Sequence, residues 1–326
     1  MNMKKIFALL LALIMTMSLA ACGGQGEEPT EPVTDPVVTE PRVDSLDRVV
    51  VFNSSLCTVL EAFGKADAIV GAYRTLAETY GVPSCGAWNE VDVEAVIATG
   101  AEAVFCYEKY TTEEQINKLN QAGITCCFIE LSNTDTAAEE VAQLGELFGC
   151  RDKAQIFVDL YNTYDIMLDE KLVAVEPLKV YVEGTAKEPS KTANSTTAAH
   201  ALVTGAGLVN VYADNETAYP ERNLEAVITA DPDVIVKICG AGSDPAEAYA
   251  EYAAGLAGVA AADEGRVILL NNDVGTTAIG SIIGRLYIAK FAYPEVFADV
   301  DVDAVYQQFC TEFIGAESTG SGAYAG

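Results

Sequence analysis

The chain has 326 residues, half of them hydrophobic, and its 48 acidic side chains outnumber 19 basic ones to give a formal net charge of −29. A general nucleic-acid-binding protein needs a basic stripe facing the phosphates, and this composition does not supply one. A basic patch for anionic lipid headgroups is excluded on the same ground. The acidity is typical of a well-solvated surface, with steering of a cationic ligand as the other interpretation.

The first 21 residues have the pattern of a signal peptide. Lys4 and Lys5 precede an apolar run, 6–21, which at about sixteen residues is shorter than the roughly 20 needed to span a bilayer. Residues 19–22, Leu-Ala-Ala-Cys, resemble the bacterial lipobox. That resemblance implies cleavage before Cys22 and attachment of a diacylglyceryl group to its thiol; ordinary secretion with a chance cysteine is the alternative. We therefore expect an extracytoplasmic protein that is lipid-anchored to the cell membrane.

The segments on either side of the main body have a low-complexity composition. Residues 22–44 hold Cys22 and four prolines among Glu, Thr, Asp and Gly, which predicts a disordered tether. The end of the chain, 316–326, is rich in Gly, Ser and Ala and predicts a flexible tail. The roughly 270 residues between them are enough for two lobes with substantial cores.

An internal repeat divides the body. Residues 93–97 and 224–228 align as Val-Glu-Ala-Val-Ile and Leu-Glu-Ala-Val-Ile, and each is preceded by a good helix N-cap, Asp92 or Asn223. In both copies the short helix leads through a polar break into a buried strand. Because the elements around these units recur in the same order, we expect two α/β lobes of similar build.

A long helix is predicted between the two copies, over residues 151–174. Apolar and aromatic side chains recur there at three- and four-residue spacings from Phe157 to Leu172, with no Pro or Gly. A helix of about 22 residues is roughly 33 Å long. It would join an N-terminal lobe, 45–150, to a C-terminal lobe, 175–315, and restrict their hinge motion.

Several short segments, in this order and spacing, resemble one family: the ABC substrate-binding proteins for iron chelates and cobalamin. Besides the two Glu-containing units, they are residues 68–71, 231–236, 265–267 and 293–297. The chain departs from the pattern at residues 100–103, where the family usually has Pro-Asp. The resemblance implies two Rossmann-like α/β lobes joined by a single long backbone helix. It also implies a monomer that captures a metal chelate, a ferric siderophore, haem or cobalamin, and delivers it to a membrane permease and its ATPase.

The resemblance further implies a role for the repeated glutamates. In the family, one glutamate at the tip of each lobe docks onto basic residues of the permease, and the matching positions are Glu94 and Glu225. Stabilisation of the helix dipole alone is the alternative interpretation. An exposed charge of this kind contributes at most about 1 kcal/mol to folding, so folding gives little reason for the identity of the two residues.

Ligands of such folds bind at the loops that follow the carboxyl ends of the strands. These loops carry aromatic and Arg side chains, which suit a large ligand with a flat apolar face and acidic edges. The candidate ligand-binding residues are Tyr73, Arg74, Trp88, Tyr107, Tyr219, Arg222, Asn272 and Arg285. We expect no cofactor of the protein's own; the bound ligand would carry iron or cobalt.

A site for a free metal ion is not predicted, because the chain has a single histidine, His200, on an alanine-rich segment. A haem would more plausibly be bound through Tyr. Beyond Cys22, eight cysteines remain. Several lie in apolar strand-like runs, which favours buried free thiols over a set of disulfides, although an even count in an exported protein permits the latter.

Other classes of function find less support. The sequence has no G-x-S-x-G elbow, no H-E-x-x-H and no P-loop, so we do not predict an enzyme. A stand-alone surface receptor or adhesin with the same fold and no transport role is the alternative to the importer component.

Overall fold

The computed structural model of the chain describes residues 45–185, 191–318 and 320–326. The predicted signal peptide, Cys22 and the tether lie outside these ranges. In the described part no helix is both long and apolar enough to cross a membrane.

The strands, in chain order, are β1 (Val49–Val51), β2 (Ile69–Ala72), β3 (Gly86–Ala87), β4 (Glu90–Val91), β5 (Ala103–Phe105), β6 (Thr125–Cys127), β7 (Lys179–Glu183), β8 (Val209–Asn210), β9 (Val234–Ile238), β10 (Val267–Leu270) and β11 (Ala323–Ala325). The α-helices are α1 (Ser54–Ala62), α2 (Arg74–Tyr80), α3 (Val93–Ala98), α4 (Glu113–Gln121), α5 (Ala137–Leu147), α6 (Arg151–Leu172), α7 (Ala198–Gly205), α8 (Leu224–Ala230), α9 (Pro245–Gly255), α10 (Ala260–Asp263), α11 (Asn272–Gly275), α12 (Ser281–Ala292) and α13 (Val302–Gln308). A π-helical turn, Phe309–Ile314, continues α13.

Two parallel sheets are built in the same way. The first has the strand order β2-β1-β5-β6, and the second has β8-β7-β9-β10 with β11 added at its edge. Central strands such as β1 and β10 are buried along their whole length and consist of Val, Ile and Leu, because helices cover both faces of a parallel sheet. The matching orders confirm the predicted pair of α/β lobes.

The apolar core is continuous across the two lobes. A single cluster of buried residues includes Val49 and Val51 of the first sheet and Val180 and Val182 of the second. Each sheet has a second, outer cluster on its other face, around Val104 in the first lobe and Ile235 in the second. Because the inner core is shared, the predicted lobe boundaries at residues 150 and 175 stay a prediction.

Helix α6 lies between the two sheets in sequence and has 22 residues, close to the predicted span. Its buried face packs against α5 and against the π-helical turn. The Phe157 ring lies 4.9 Å from that of Phe313 and 6.4 Å from that of Phe309, so segments from the end of the chain are held on this helix.

The end of the chain differs from the prediction of a flexible tail. Residues 323–325 form β11, which pairs antiparallel with β10, and the Tyr324 ring lies 5.2 Å from that of Tyr249. The composition predicted a flexible tail because Gly and Ser precede the strand. The strand itself forms because it completes the hydrogen bonds of an open sheet edge. All eight cysteines from Cys57 to Cys310 are free thiols, most of them buried.

Candidate functional site

The carboxyl ends of the strands carry the candidate site in each lobe. Asn53, directly after β1, caps α1: its side-chain oxygen accepts hydrogen bonds from the backbone N–H groups of Ser55 and Leu56 at 2.7 and 3.3 Å. Its amide group donates to the carbonyl of Glu130, which follows β6. The loops at this edge of the first sheet are therefore tied to one another.

An aromatic cluster of the first lobe joins the β3–β4 turn to the loop after β5. Trp88, in the turn between β3 and β4, meets Tyr107 and Tyr110 edge-to-face with ring centroids 6.3 and 5.2 Å away. Trp88 is 50% exposed, whereas Tyr107 is half-buried and burial raises the pKa of its phenol. The structure thus brings Trp88 and Tyr107 together, and Tyr110 joins them although it was not among the candidates.

Tyr73 and Arg74 follow β2 at the same edge. Tyr73 is the N-cap residue of α2, and burial raises the pKa of its hydroxyl. Arg74 is the first residue of α2 and is exposed, and within the described ranges its guanidinium has no hydrogen bond or ion pair. A cation in this position is available to an acidic group of a ligand.

In the second lobe, Tyr219 and Arg222 lie in the segment between β8 and α8. Tyr219 is 55% exposed. The Arg222 guanidinium lies 4.6 Å from the centroid of the Tyr212 ring and donates a hydrogen bond to the carbonyl of Glu221 at 2.9 Å. This stacking orients the guanidinium and leaves its remaining donors for an acidic partner.

Behind Arg222 lies a buried polar group that sequence analysis missed. The Tyr181 hydroxyl donates to Glu183 at 2.7 Å, and the Lys237 ammonium lies 3.7 Å from the other carboxylate oxygen. Burial raises the pKa of Glu183 and lowers the pKa of Lys237. The signal was present, since Glu183 and Lys237 are charged residues at or near the carboxyl ends of two largely buried strands, β7 and β9.

Asn272 is the first residue of α11, after β10, and its amide group donates to the carbonyl of Cys239 at 3.4 Å. It lines a pocket of about 370 Å³ together with Asp244, Tyr306 and Tyr324. A second pocket of about 260 Å³ joins Thr58 of the first lobe to Asp273 and Thr277 of the second. This pocket lies where α1 of the first lobe meets the segment after β10 and the π-helical turn.

Arg285 is held by contacts within the protein. Its side chain is only 5% exposed, and its two terminal nitrogens contact Asp165 at 3.2 Å and Asp135 at 2.9 Å. It also donates to the hydroxyl of Thr134. Asp135 belongs to the first lobe and Asp165 to α6, so this arginine ties α12 to both. Its Nε is buried and has no hydrogen-bond partner among the described residues, and its predicted ligand-binding role stays a prediction.

These contacts hold the two lobes together. The segment after β6 contacts Arg285 and α7, and the π-helical turn contacts α1. Four other candidates follow edge strands of the two sheets: Tyr73 and Trp88 come after β2, and Tyr219 and Arg222 come after β8. We call Trp88 with Tyr107 and Tyr110 the aromatic lip, and Tyr219 with Arg222 the charged lip.

Glu94 and Glu225 are both exposed and lie in the first turns of α3 and α8. Each helix is capped alike: Asp92 accepts from the Ala95 N–H at 3.1 Å and Asn223 from the Ala226 N–H at 2.9 Å. The repeat thus presents the two glutamates equivalently on the two lobes.

In the part of the chain that the structure describes, no group of three or more His, Cys, Asp or Glu side chains could hold a metal ion. His200 is half-buried in α7, where its Nδ1 lies 3.3 Å from the Asn210 amide nitrogen. Burial lowers the pKa of its imidazole. This environment suits a structural histidine.

Two similar α/β lobes, with aromatic and charged side chains in the loops that follow their strands, are typical of a bilobed binding protein. A profile of the periplasmic binding protein family matches residues 49–274. The chain belongs to this family.

Known proteins are similar to this chain in sequence or in fold. The chain is 26% identical over 265 residues to the cobalamin-binding protein of Halobacterium salinarum, covering 74% of this chain and 70% of that one. The fold is similar to that of the TroA-like periplasmic binding protein FepB of Veillonella parvula (TM-score 0.73, 18% identity, 86% and 95% of the two chains). It is also similar to that of the molybdate-bound periplasmic binding protein MolA of Haemophilus influenzae (TM-score 0.69, 19% identity, 85% and 95%).

Proposed function

We propose that the chain is the extracytoplasmic substrate-binding component of an ABC importer. It captures a metal chelate, a ferric siderophore, haem or cobalamin, between its lobes and delivers it to a membrane permease. The observation that carries the proposal is the chemistry of the two lips. Trp88, Tyr107 and Tyr110 offer flat apolar faces on one side, and Arg222 offers an oriented cation on the other.

A large planar ligand with acidic side groups matches both lips. Each aromatic contact favours a flat ring system, and a guanidinium pairs with carboxylate or phosphate in a forked geometry. A free metal ion matches neither. The relative named for cobalamin binding makes a corrinoid the first ligand to test.

The single tryptophan of the chain makes this test direct. Trp88 fluorescence should be quenched when a strongly absorbing chelate binds beside it. Purified protein is titrated with hydroxocobalamin, haemin and a ferric siderophore, and calorimetry on the Trp88→Phe variant checks that binding itself persists. If none of the three chelates binds by either method, the proposed ligand class is wrong.

Docking to the permease is tested by reversing the two exposed charges. Glu94→Lys with Glu225→Lys should abolish uptake of the bound chelate, because like charges at an interface cost several kcal/mol. The affinity of the purified variant for the chelate should stay unchanged, since both glutamates lie outside the lips. Wild-type uptake by the double variant, at normal expression, would favour a stand-alone receptor.

The lipid anchor belongs to the same proposal. Cys22→Ala should release the protein from the membrane fraction, because the strongly acidic body offers no other attachment. A Cys57→Ala variant, which removes a buried thiol of the body, is the matched control and should remain with the membrane. Membrane association of processed Cys22→Ala protein would contradict lipid anchoring.

A further inference from the structure

The repeated helices α3 and α8 differ in how much apolar surface they leave open. In α8, Leu224 is 39% exposed and Ile228 is 43% exposed. Their equivalents in α3, Val93 and Ile97, are half-buried and pack against the outer apolar cluster of the first lobe. Val96 and Val227, the fourth residues of the two units, are both buried.

The difference has a structural cause. In the first lobe, α4 packs against α3 and covers it. In the second lobe, the corresponding helix α9 packs on β10 and β11 instead. Leu224 and Ile228 are four residues apart and therefore share one face of α8. The result is a small open apolar face, consisting of Leu224 and Ile228, directly beside Glu225.

The charge of this surface restricts what can cover it. Glu225 is the only charged residue of α8, and the whole chain has a net charge of −29. A second copy of the chain would bring two Glu225 side chains toward each other, and their like charges would repel. An anionic lipid surface would also repel Glu225. A protein surface that places a basic residue beside apolar side chains is complementary to all three residues.

We propose that Leu224 and Ile228 are an apolar contact between the second lobe and the permease, adjoining Glu225. This inference rests on the proposed docking function. It makes the two docking surfaces unlike, since the first lobe binds through Glu94 with its aliphatic neighbours largely covered, whereas the second binds through charge and apolar contact together. Unlike surfaces fix which lobe meets which part of the permease.

Photo-crosslinking in cells tests the contact with the full-length, processed chain. A benzophenone amino acid is placed in turn at positions 94, 224, 228 and, as a control, 166, since Ile166 is 58% exposed on α6. Positions 94, 224 and 228 should crosslink to the same polytopic ABC transporter subunit, identified by mass spectrometry, and position 166 should not. A permease crosslink from 94 without one from 224 or 228 overturns this inference alone. Crosslinks from 224 to a second copy of the chain also overturn it.

A binding measurement separates the contact from ligand capture. Leu224→Ser with Ile228→Ser should weaken binding to the purified permease–ATPase complex by about tenfold or more, because two partly exposed aliphatic side chains lose their burial. Ile166→Ser with Val173→Ser removes the same kind of surface from α6 and should have no effect. Chelate affinity, measured by Trp88 fluorescence, should be unchanged in both. Equal permease affinity of the two double variants would contradict the proposal, whereas failure of position 94 to crosslink to any transporter would defeat the docking function itself.

Discussion

The two lobes have the same strand connectivity and differ in the chemistry of the loops that follow their strands. Both sheets have the same strand order, and both repeated helices begin with an Asx cap at the same position. The first lobe presents the aromatic rings of Trp88 and Tyr107, whereas the second presents Arg222 backed by the buried Glu183–Lys237 pair. A repeated backbone thus sets where the loops lie, and the loops divide apolar contact and charge between the lobes.

The largest expected effect is on the free energy of unfolding, and it comes from removing the Arg285 contacts between the lobes. Arg285→Ala should lower the free energy of unfolding by about 2–4 kcal/mol, because a buried cation bound to Asp135 and Asp165 is lost. Arg285→Lys should recover only part of this, since an ammonium cannot reproduce the fork. Urea unfolding measures both.

Arg266→Ala is the matched control for that experiment. Its Nε donates to the carbonyl of Asp233 at 2.6 Å, a contact within the second lobe. A loss as large as that for Arg285→Ala would show that the contact between the lobes has no special weight.

Substitutions at the two lips should separate apolar from charged recognition. Trp88→Ala and Arg222→Ala should each weaken binding of the identified chelate by roughly tenfold, or about 1.4 kcal/mol. Only the Arg222→Ala effect should shrink as salt is raised, because salt screens charges and not ring contacts. Calorimetry at two salt concentrations measures both, with Ile166→Ala as an unaffected exposed control. Equal salt dependence would contradict the division of roles.

Several of these features could be predicted from the sequence, and the reason is local. Val93–Ile97 and Leu224–Ile228 show their caps, periodicity and spacing within a few residues, so the repeat, the two lobes and α6 follow from short-range patterns. Trp88, in the turn between β3 and β4, and Tyr107, after β5, lie 19 residues apart in the sequence and meet in the fold.

What could not be predicted depends on contacts between distant segments. Arg285, Thr134 and Asp165 come from three separate elements, and nothing in the sequence near Arg285 indicates that its guanidinium is already bound. The glycine at position 205 leaves room for this arginine, since a Cβ there would lie 2.4 Å from the Arg285 Nε. Glu183 and Lys237 were passed over because a charge inside an apolar strand has meaning only once its neighbour is known.

The buried pair in the second lobe predicts a pH effect that the first lobe lacks at the equivalent strand end, where Phe52 stands. Burial raises the pKa of Glu183 above its ordinary value of 4.5, so the folded state retains a proton that the unfolded state releases. Stability should therefore fall as pH rises from about 4.5 toward the raised pKa. Glu183→Gln removes this dependence.

The comparison of urea midpoints for wild type and Glu183→Gln between pH 4 and 8 isolates the effect, because other carboxyls titrate alike in both proteins. The advantage of the glutamine variant should grow with pH over the lower part of this range. A constant difference would show that Lys237 keeps Glu183 ionised throughout.

The smallest expected effect is the loss of a helix cap, and its cost in stability should be equal in the two lobes. Asp92→Ala and Asn223→Ala each remove one side-chain cap, and each should cost about 1 kcal/mol of unfolding free energy. Thermal unfolding of the two variants measures the difference. Costs that differ by more than about 1 kcal/mol would show that the repeat is equivalent in shape and not in energy.

Strand β11 has a consequence for how the protein can be handled. It occupies the edge of β10, and the backbone N–H of Asn271 donates to the carbonyl of Gly322 just before it. A truncated chain that ends before Ser321 would leave β10 as a bare apolar edge, open to pairing with another molecule. Affinity tags fused directly after Gly326 would crowd Tyr249, so a spacer at that end would preserve a monodisperse sample.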